Sequence, residues 1–192
     1  SRRPFIHHMS QTIAELTAIL SDTPELTVTE PEPGFPVIDV QSPVSSATIA
    51  LHGAQVLTWA PTDHPPVLYV SPKAKMISGT PLRGGIPICW PWFGDHAEVP
   101  SNPSHGFART RFWELVSGGL EGKVATLVFK LAPDDETKKI FPHDFELTAT
   151  IRMADKLRVK LKMKNTGEDP FKVSCALHTY LSLGDIERIQ LE

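Results

Sequence analysis

Apolar residues recur at every second position through much of the second half of the chain. In residues 157–163 they alternate with arginine and lysine, and the same period of two runs through residues 125–131 and 145–153. Because successive side chains of a strand point to opposite faces of a sheet, this period predicts strands with one buried and one solvated face. Strands of this kind, separated by turns, are typical of antiparallel sheets.

The first half of the chain adds a hairpin and weaker strand signals. Apolar residues alternate through residues 47–51, Gly53 turns the chain, and residues 55–59 return it. Residues 67–70 predict another short strand. Three prolines within residues 28–37 predict a loop or an edge segment there, because proline lacks the N–H that an inner strand needs.

One short helix precedes these strands. Residues 10–20 place apolar side chains on one face at helical spacing, and Ser10 is a suitable N-cap. We therefore predict an all-β fold, an antiparallel β-sandwich or barrel with one short N-terminal helix.

Composition narrows the classes of protein that this chain can belong to. Its 192 residues suit one domain, 41% of them are hydrophobic, and the formal net charge is −3. This balance argues against nucleic-acid or membrane binding, and no apolar run approaches the ~20 residues of a membrane span. We interpret the two cysteines, Cys89 and Cys175, as buried free thiols of a reducing compartment, which predicts a cytoplasmic location.

We divide the chain into three parts. Residues 1–8 include two arginines but lack the apolar stretch of a secretion signal, so we interpret them as a vector remnant before a native start at Met9. Residues 9–35 hold the predicted helix and a proline-rich lead-in. Residues 36–192 hold the predicted sandwich.

The segment 82–94 is rich in glycine, proline and aromatic residues and shows little periodicity. Arg83 is followed by two glycines, which permit a close approach of the backbone to a ligand. Trp90, Trp92 and Phe93 offer flat apolar faces that can stack on sugar rings, and aromatic residues in a proline-stiffened loop can equally fill a core. Both interpretations remain open for the segment by itself.

A second polar cluster follows in residues 104–109. His105 and Arg109 lie four positions apart around a glycine. The guanidinium of Arg109, or that of Arg83, is suited to bidentate binding of a carboxylate or phosphate, and each arginine can also form an ordinary salt bridge.

A third candidate is a histidine near the C-terminus. Alternation predicts a strand whose apolar face carries Phe171, Val173, Cys175 and Leu177. His178 would then lie on the polar face with Tyr180, either as a catalytic group or as a hydrogen-bonded sheet residue. No histidine spacing typical of a metal site is present beyond the adjacent pair His7 and His8, so we predict no metal.

Together, these segments resemble the aldose 1-epimerase (galactose mutarotase-like) superfamily, and within it the hexose-6-phosphate mutarotases. The matching stretches are residues 82–94, 105–109 and 177–181, with a further family-like stretch at 141–145. The resemblance runs from about Leu51 to the end of the chain.

The resemblance implies a sandwich of the galactose-mutarotase type (a supersandwich) with a shallow sugar cleft. It implies interconversion of the α and β anomers of glucose 6-phosphate or related hexose 6-phosphates, without a cofactor. By motif, His178 is the general acid at the ring oxygen and His105 positions the sugar. Arg83 and Arg109 face the 6-phosphate, and Trp90 with Trp92 line the cleft.

The base of this family is a glutamate near the end of a longer domain. We therefore expect the base beyond residue 192 and interpret the chain as the N-terminal part of that domain. A complete domain is expected to be a monomer, whereas an open sheet edge favours association or strand exchange between chains.

Two other functions compete with the mutarotase interpretation. A non-catalytic carbohydrate-binding module on the same fold would bind the sugar phosphate without exchanging its anomers. An interaction protein on this fold would show no affinity for hexose phosphates.

Overall fold

The first element in the computed structural model, which describes residues 11–190, is helix α1 (Ile13–Ile19). The Thr12 side chain accepts a hydrogen bond from the Glu15 N–H at 3.2 Å, and the Glu15 carboxylate accepts one from the Thr12 N–H. This capping box begins the helix, so Thr12 is the N-cap; the predicted cap, Ser10, lies outside the described residues.

The first sheet consists of four consecutive antiparallel strands. They are β1 (Leu26–Glu32), β2 (Phe35–Ser42), β3 (Ser45–Ala50) and β4 (Gln55–Pro61), in that spatial order. The predicted hairpin around Gly53 is confirmed as β3 and β4. The proline-rich residues 28–37 form an edge strand and the start of β2 rather than a loop, because Gly34, with φ of 75°, lets the chain reverse tightly between them.

The second sheet follows a short strand, β5 (Ile88–Cys89), and is again antiparallel. Its strands, in spatial order, are β6 (Glu114–Glu121), β7 (Val124–Leu131), β8 (Phe145–Met153) and β9 (Leu157–Asn165). The strands predicted from the period of two are thereby confirmed. Side chains of β8 alternate between buried and half-exposed or exposed positions, as the sequence pattern requires.

A second helix, α2 (Asp135–Ile140), connects β7 and β8 and was missed by the sequence analysis. The helix has no apolar period that would reveal it. Its start is set by a capping box in which the Asp134 carboxylate accepts from the Thr137 N–H at 2.6 Å and the Thr137 hydroxyl accepts from the Asp134 N–H.

The two four-stranded sheets share one apolar core, so the predicted β-sandwich is confirmed. Buried residues of both sheets and of α1 form a single cluster, which includes Leu16, Val40, Ile49, Leu127, Phe129 and Leu147. None of the helices within residues 11–190 is long and apolar enough to cross a membrane.

A short two-stranded ribbon, separate from the two large sheets, carries the candidate site. Strand β10 (Ala176–Leu177) pairs with β5 over two residues, so the continuous strand predicted for residues 171–177 is wrong. Without a continuous ladder the side chains do not keep a strict alternation, and Cys175 is exposed and Leu177 is 40% exposed. Cys89 is buried, as predicted, whereas the predicted burial of Cys175 is wrong.

Candidate functional site

The two glycines after Arg83 hold the site-bearing segment against the rest of the protein. Gly85 has φ of 61°, and a Cβ there would clash with the carbonyl oxygen of Val56. The Gln55 amide donates to the Gly84 carbonyl at 2.7 Å. The close approach that the sequence analysis assigned to a ligand is therefore made to the chain's own backbone, and this packing fixes the start of β5.

His178 is positioned by backbone hydrogen bonds to this fixed segment. Its N–H donates to the Pro87 carbonyl at 3.0 Å, and the Tyr180 N–H donates to the Gly85 carbonyl at 2.8 Å. The His178 ring is half-buried and stacks on the Tyr180 ring at a centroid distance of 4.9 Å. The stacked tyrosine restricts the orientation of the half-buried imidazole.

His105 is held in a defined orientation by Gly94. The His105 N–H donates to the Gly94 carbonyl at 2.7 Å, and His105 Nδ1 accepts from the Gly94 N–H at 3.0 Å. Because Nδ1 acts as an acceptor, the proton of the neutral ring lies on Nε2, which is left as a donor.

The two histidines, from segments far apart in sequence, lie side by side. Their ring centroids are 6.0 Å apart, with the rings edge to face. Phe93 adjoins both, at 4.9 Å from His105 and 6.2 Å from His178, and its side chain is 49% exposed. A pair of imidazoles beside an exposed aromatic face combines proton-transfer groups with an apolar surface for a sugar ring.

Phe93, rather than Trp90 or Trp92, is the aromatic residue that lies exposed beside the histidine pair. Trp90 has no exposed surface and packs on Phe107 and Phe145 in the core, so its prediction as a cleft wall is wrong. Trp92 is half-buried; its indole N–H donates to the Pro103 carbonyl at 2.9 Å, and it lines a separate cavity of about 820 Å³.

Arg109 is half-buried, and its guanidinium interacts electrostatically with residues of the ribbon and with Arg83. Burial lowers the pKa of Arg109, Cys89 and Tyr180 act in the opposite direction, and Arg83 lowers it further. Its Nη2 donates to the Ser104 carbonyl at 2.7 Å, whereas Arg83 is exposed. The two guanidinium groups therefore contribute positive potential to the same part of the protein.

The surroundings of His105 keep its ring neutral. Burial lowers the pKa of His105 below its ordinary value of 6.5, Arg109 and His178 lower it further, and Asp95 opposes them. A neutral His105 with its proton on Nε2 is suited to donating a hydrogen bond to a hydroxyl of a bound molecule.

Acidification below neutral pH is expected to reduce the stability of the protein through His105. Unfolded chains take up a proton near pH 6.5, while the folded state resists protonation until its lower pKa is reached, so the free energy of unfolding decreases as pH falls through that window. Urea unfolding at about pH 7 and about pH 5.5 measures the loss. The variant His105→Asn tolerates the positive φ of 65° and does not titrate, so it should lose less stability over the same interval; an equal loss would contradict the assignment.

Within residues 11–190, no three side chains of His, Cys, Asp or Glu come together in an arrangement that could hold a metal ion. The groups that the structure brings together around the histidine pair are imidazole, guanidinium and aromatic side chains.

Comparison with known proteins connects this arrangement to a family. The sequence model of the family described as aldose 1-epimerase matches residues 36–192. An Escherichia coli protein, whose name proposes a glucose-6-phosphate 1-epimerase, is 39% identical over 155 residues, which are 81% of this chain and 51% of the relative. The chain thus spans about half the length of the curated relatives it matches.

Solved structures show the same relationship. The crystal structure of a proposed mutarotase, YeaD from Salmonella typhimurium, superposes with a TM-score of 0.79 at 36% identity, covering 85% of this chain and 53% of that one. A galactose mutarotase-like protein from Lactobacillus casei has the same fold at 22% identity and a TM-score of 0.54, over 67% of this chain and 44% of that chain. Because the family model matches residues 36–192 and these relatives share both sequence and fold, the chain belongs to the aldose 1-epimerase family.

Proposed function

We propose that the protein interconverts the α and β anomers of glucose 6-phosphate or of closely related hexose 6-phosphates. Opening of the sugar ring requires a proton at the ring oxygen and removal of a proton from the anomeric hydroxyl. The open-chain aldehyde then rotates about its terminal bond and closes on its other face, with the two proton transfers reversed.

The observation that carries the proposal is the close pair of His105 and His178 beside the exposed Phe93. We assign His178 as the general acid, because its ring is oriented by Tyr180 and is only half-buried. His105 is a neutral donor and is assigned to hold a sugar hydroxyl. The apolar face of Phe93 would contact the C–H face of the sugar ring.

Arg83 and Arg109 are assigned to the 6-phosphate. Permanently charged guanidinium groups bind a phosphate through paired N–H donors, and partial burial of Arg109 strengthens such an interaction relative to open water. The name of the Escherichia coli relative, which proposes a glucose-6-phosphate 1-epimerase, supports a phosphorylated substrate. The catalytic base is not assigned to a residue of this chain and stays a prediction for the sequence beyond residue 192.

Exchange spectroscopy on the anomeric protons of glucose 6-phosphate, with glucose as the control sugar, tests the proposal. Protein-dependent exchange of the phosphate sugar alone supports the proposal and would place a working base within these 192 residues. Line broadening of glucose 6-phosphate without exchange indicates a binding site that lacks its base. The same result in a polypeptide of the relatives' full length would favour the non-catalytic carbohydrate-binding module.

Replacing Arg83 by alanine should show whether this residue binds the phosphate or the sugar ring of the substrate. We expect the variant to bind glucose 6-phosphate about tenfold more weakly, since a hydrogen bond to a charged group is lost, and to bind glucose with unchanged affinity. Titrations followed by NMR measure both dissociation constants. Lys123→Ala, which removes an exposed cation from the turn between β6 and β7, is the matched control. Equal losses for both sugars in Arg83→Ala would remove Arg83 from the phosphate site.

The cytoplasmic location and the monomeric state expected from the sequence stay predictions. Neither is needed for the chemistry proposed above.

A further inference from the structure

A row of positive charge covers the outer face of the second sheet. On β9, every second side chain from residue 158 to 164 is a lysine or arginine that points away from the core and is exposed. Arg152 of β8 lies directly opposite Arg158 and extends the group sideways. We call these five residues the cationic row: Arg152, Arg158, Lys160, Lys162 and Lys164.

The cross-strand partners of this row do little to neutralise it. Lys160 and Lys162 lie opposite threonines, and Arg158 lies opposite the like-charged Arg152. Like charges directly opposite on a sheet are destabilising, so the arrangement is not one that stability alone would select. Glu146 lies opposite Lys164, but its carboxylate forms an ion pair with Lys130 of β7 at 2.9 Å.

The cationic row also acts electrostatically on the carboxylate of Glu146. Its hydrogen bond and ion pair with Lys130 lower the pKa of Glu146, and Lys164 and Lys162 lower it further. The next acidic residues along the chain are Asp155, in the turn at one end of β9, and Glu168 with Asp169, past the other end. Lys160, in the middle of the row, therefore faces no acidic side chain across the strand pair, and Glu146 compensates Lys162 and Lys164 only in part.

The rest of the chain has the opposite sign. Subtracting the five positive charges of the cationic row from the formal net charge of −3 leaves −8 on the remaining residues. A duplex nucleic acid or an anionic membrane extends far beyond the row and would be repelled by that remainder. A short acidic segment would interact only with the cationic row, because charges farther away than about 8–10 Å are screened at physiological ionic strength.

The spacing of the row indicates the shape of the partner. Alternate side chains of a strand are about 7 Å apart, and the row on β9 is about 20 Å long. An extended peptide with an acidic residue at every second position has the same repeat and can place one carboxylate near each cation. We propose that the outer face of β8 and β9 binds an extended acidic segment of a partner protein through the cationic row.

Fluorescence anisotropy with a labelled decapeptide of alternating glutamate and threonine tests the proposal. We expect saturable binding that is lost when salt is raised from about 0.05 M to about 0.5 M, because exposed ion pairs are screened. Lys160→Glu combined with Lys162→Glu should weaken binding about tenfold or more, through lost and reversed charge pairs. Lys73→Glu with Lys75→Glu makes the same change in net charge elsewhere on the surface and should leave the affinity unchanged.

Amide shifts of the wild-type protein provide a second readout that does not depend on any variant folding. On addition of the decapeptide, shifts concentrated in β8 and β9 support the proposal, and shifts spread evenly over the surface overturn it. Equal weakening in the two double variants also overturns it. A labelled DNA duplex that binds as tightly as the decapeptide would overturn the choice of an acidic peptide as the partner.

Discussion

Replacing His178 by alanine is expected to slow anomer exchange of glucose 6-phosphate by about 10²–10⁴-fold, the usual contribution of a general acid or base. The fold should survive, because the hydrogen bonds that hold the ribbon at residue 178 come from the backbone rather than from the imidazole. Exchange spectroscopy measures the rate, and thermal unfolding checks the fold. Where the 192-residue chain alone gives no exchange, the comparison is made in a polypeptide of the relatives' full length.

His64→Ala is the matched control for this experiment. His64 is an exposed histidine in the loop after β4. Exchange should be unchanged in this variant. Near-normal exchange in His178→Ala, with exchange equally normal in His64→Ala, would remove His178 as the acid.

Trp90 and Phe93, three positions apart, should respond to alanine substitution in opposite ways. Trp90 has no exposed surface and contacts three phenylalanines, so Trp90→Ala should lower the free energy of unfolding by about 3–5 kcal/mol through a buried cavity. Phe93 is 49% exposed, so Phe93→Ala should lower it by about 1 kcal/mol or less while weakening sugar binding. Urea unfolding and sugar titration measure the two effects.

The reverse pattern would contradict the assignment of the aromatic residues. If Trp90→Ala were as stable as the wild type and lost only sugar affinity, Trp90 would belong to the cleft after all. If Phe93→Ala left sugar affinity intact, Phe93 would not be part of the sugar site.

Three strands of the second sheet, β7, β8 and β9, could be predicted because apolar and polar side chains alternate along each of them. Their apolar period follows directly from the pleat of a sheet, and β7, β8 and β9 therefore appear in the sequence nearly at their structural positions. Strand β6, which has a single buried side chain, was not predicted. Helix α2 has no buried stripe of its own beyond Thr137, so its sequence has no helical period to detect.

The site was harder to predict because its geometry depends on contacts between distant segments. The motifs singled out the segments of His105 and His178, and the structure brings the two rings together, but the distance between them depends on pairing between β5 and β10. The alternation expected before His178 requires a continuous ladder, and the ribbon pairs over only two residues. The misassignment of Trp90 has a similar cause, since aromatic content alone does not distinguish a ligand-facing ring from a core ring.

The pairing of β5 with β10 has a consequence for how the two histidines come together during folding. It joins Cys89 and Ala176, which are about 90 positions apart in sequence, so the entropy of closing a long loop must be overcome before the two histidines can meet. Contacts of such high sequence separation are typical of slowly folding β-proteins. A hexose phosphate that bridges the histidines would bind only the closed chain and would raise the population of that state by mass action. Sugar affinity is then a direct measure of how completely the polypeptide has folded.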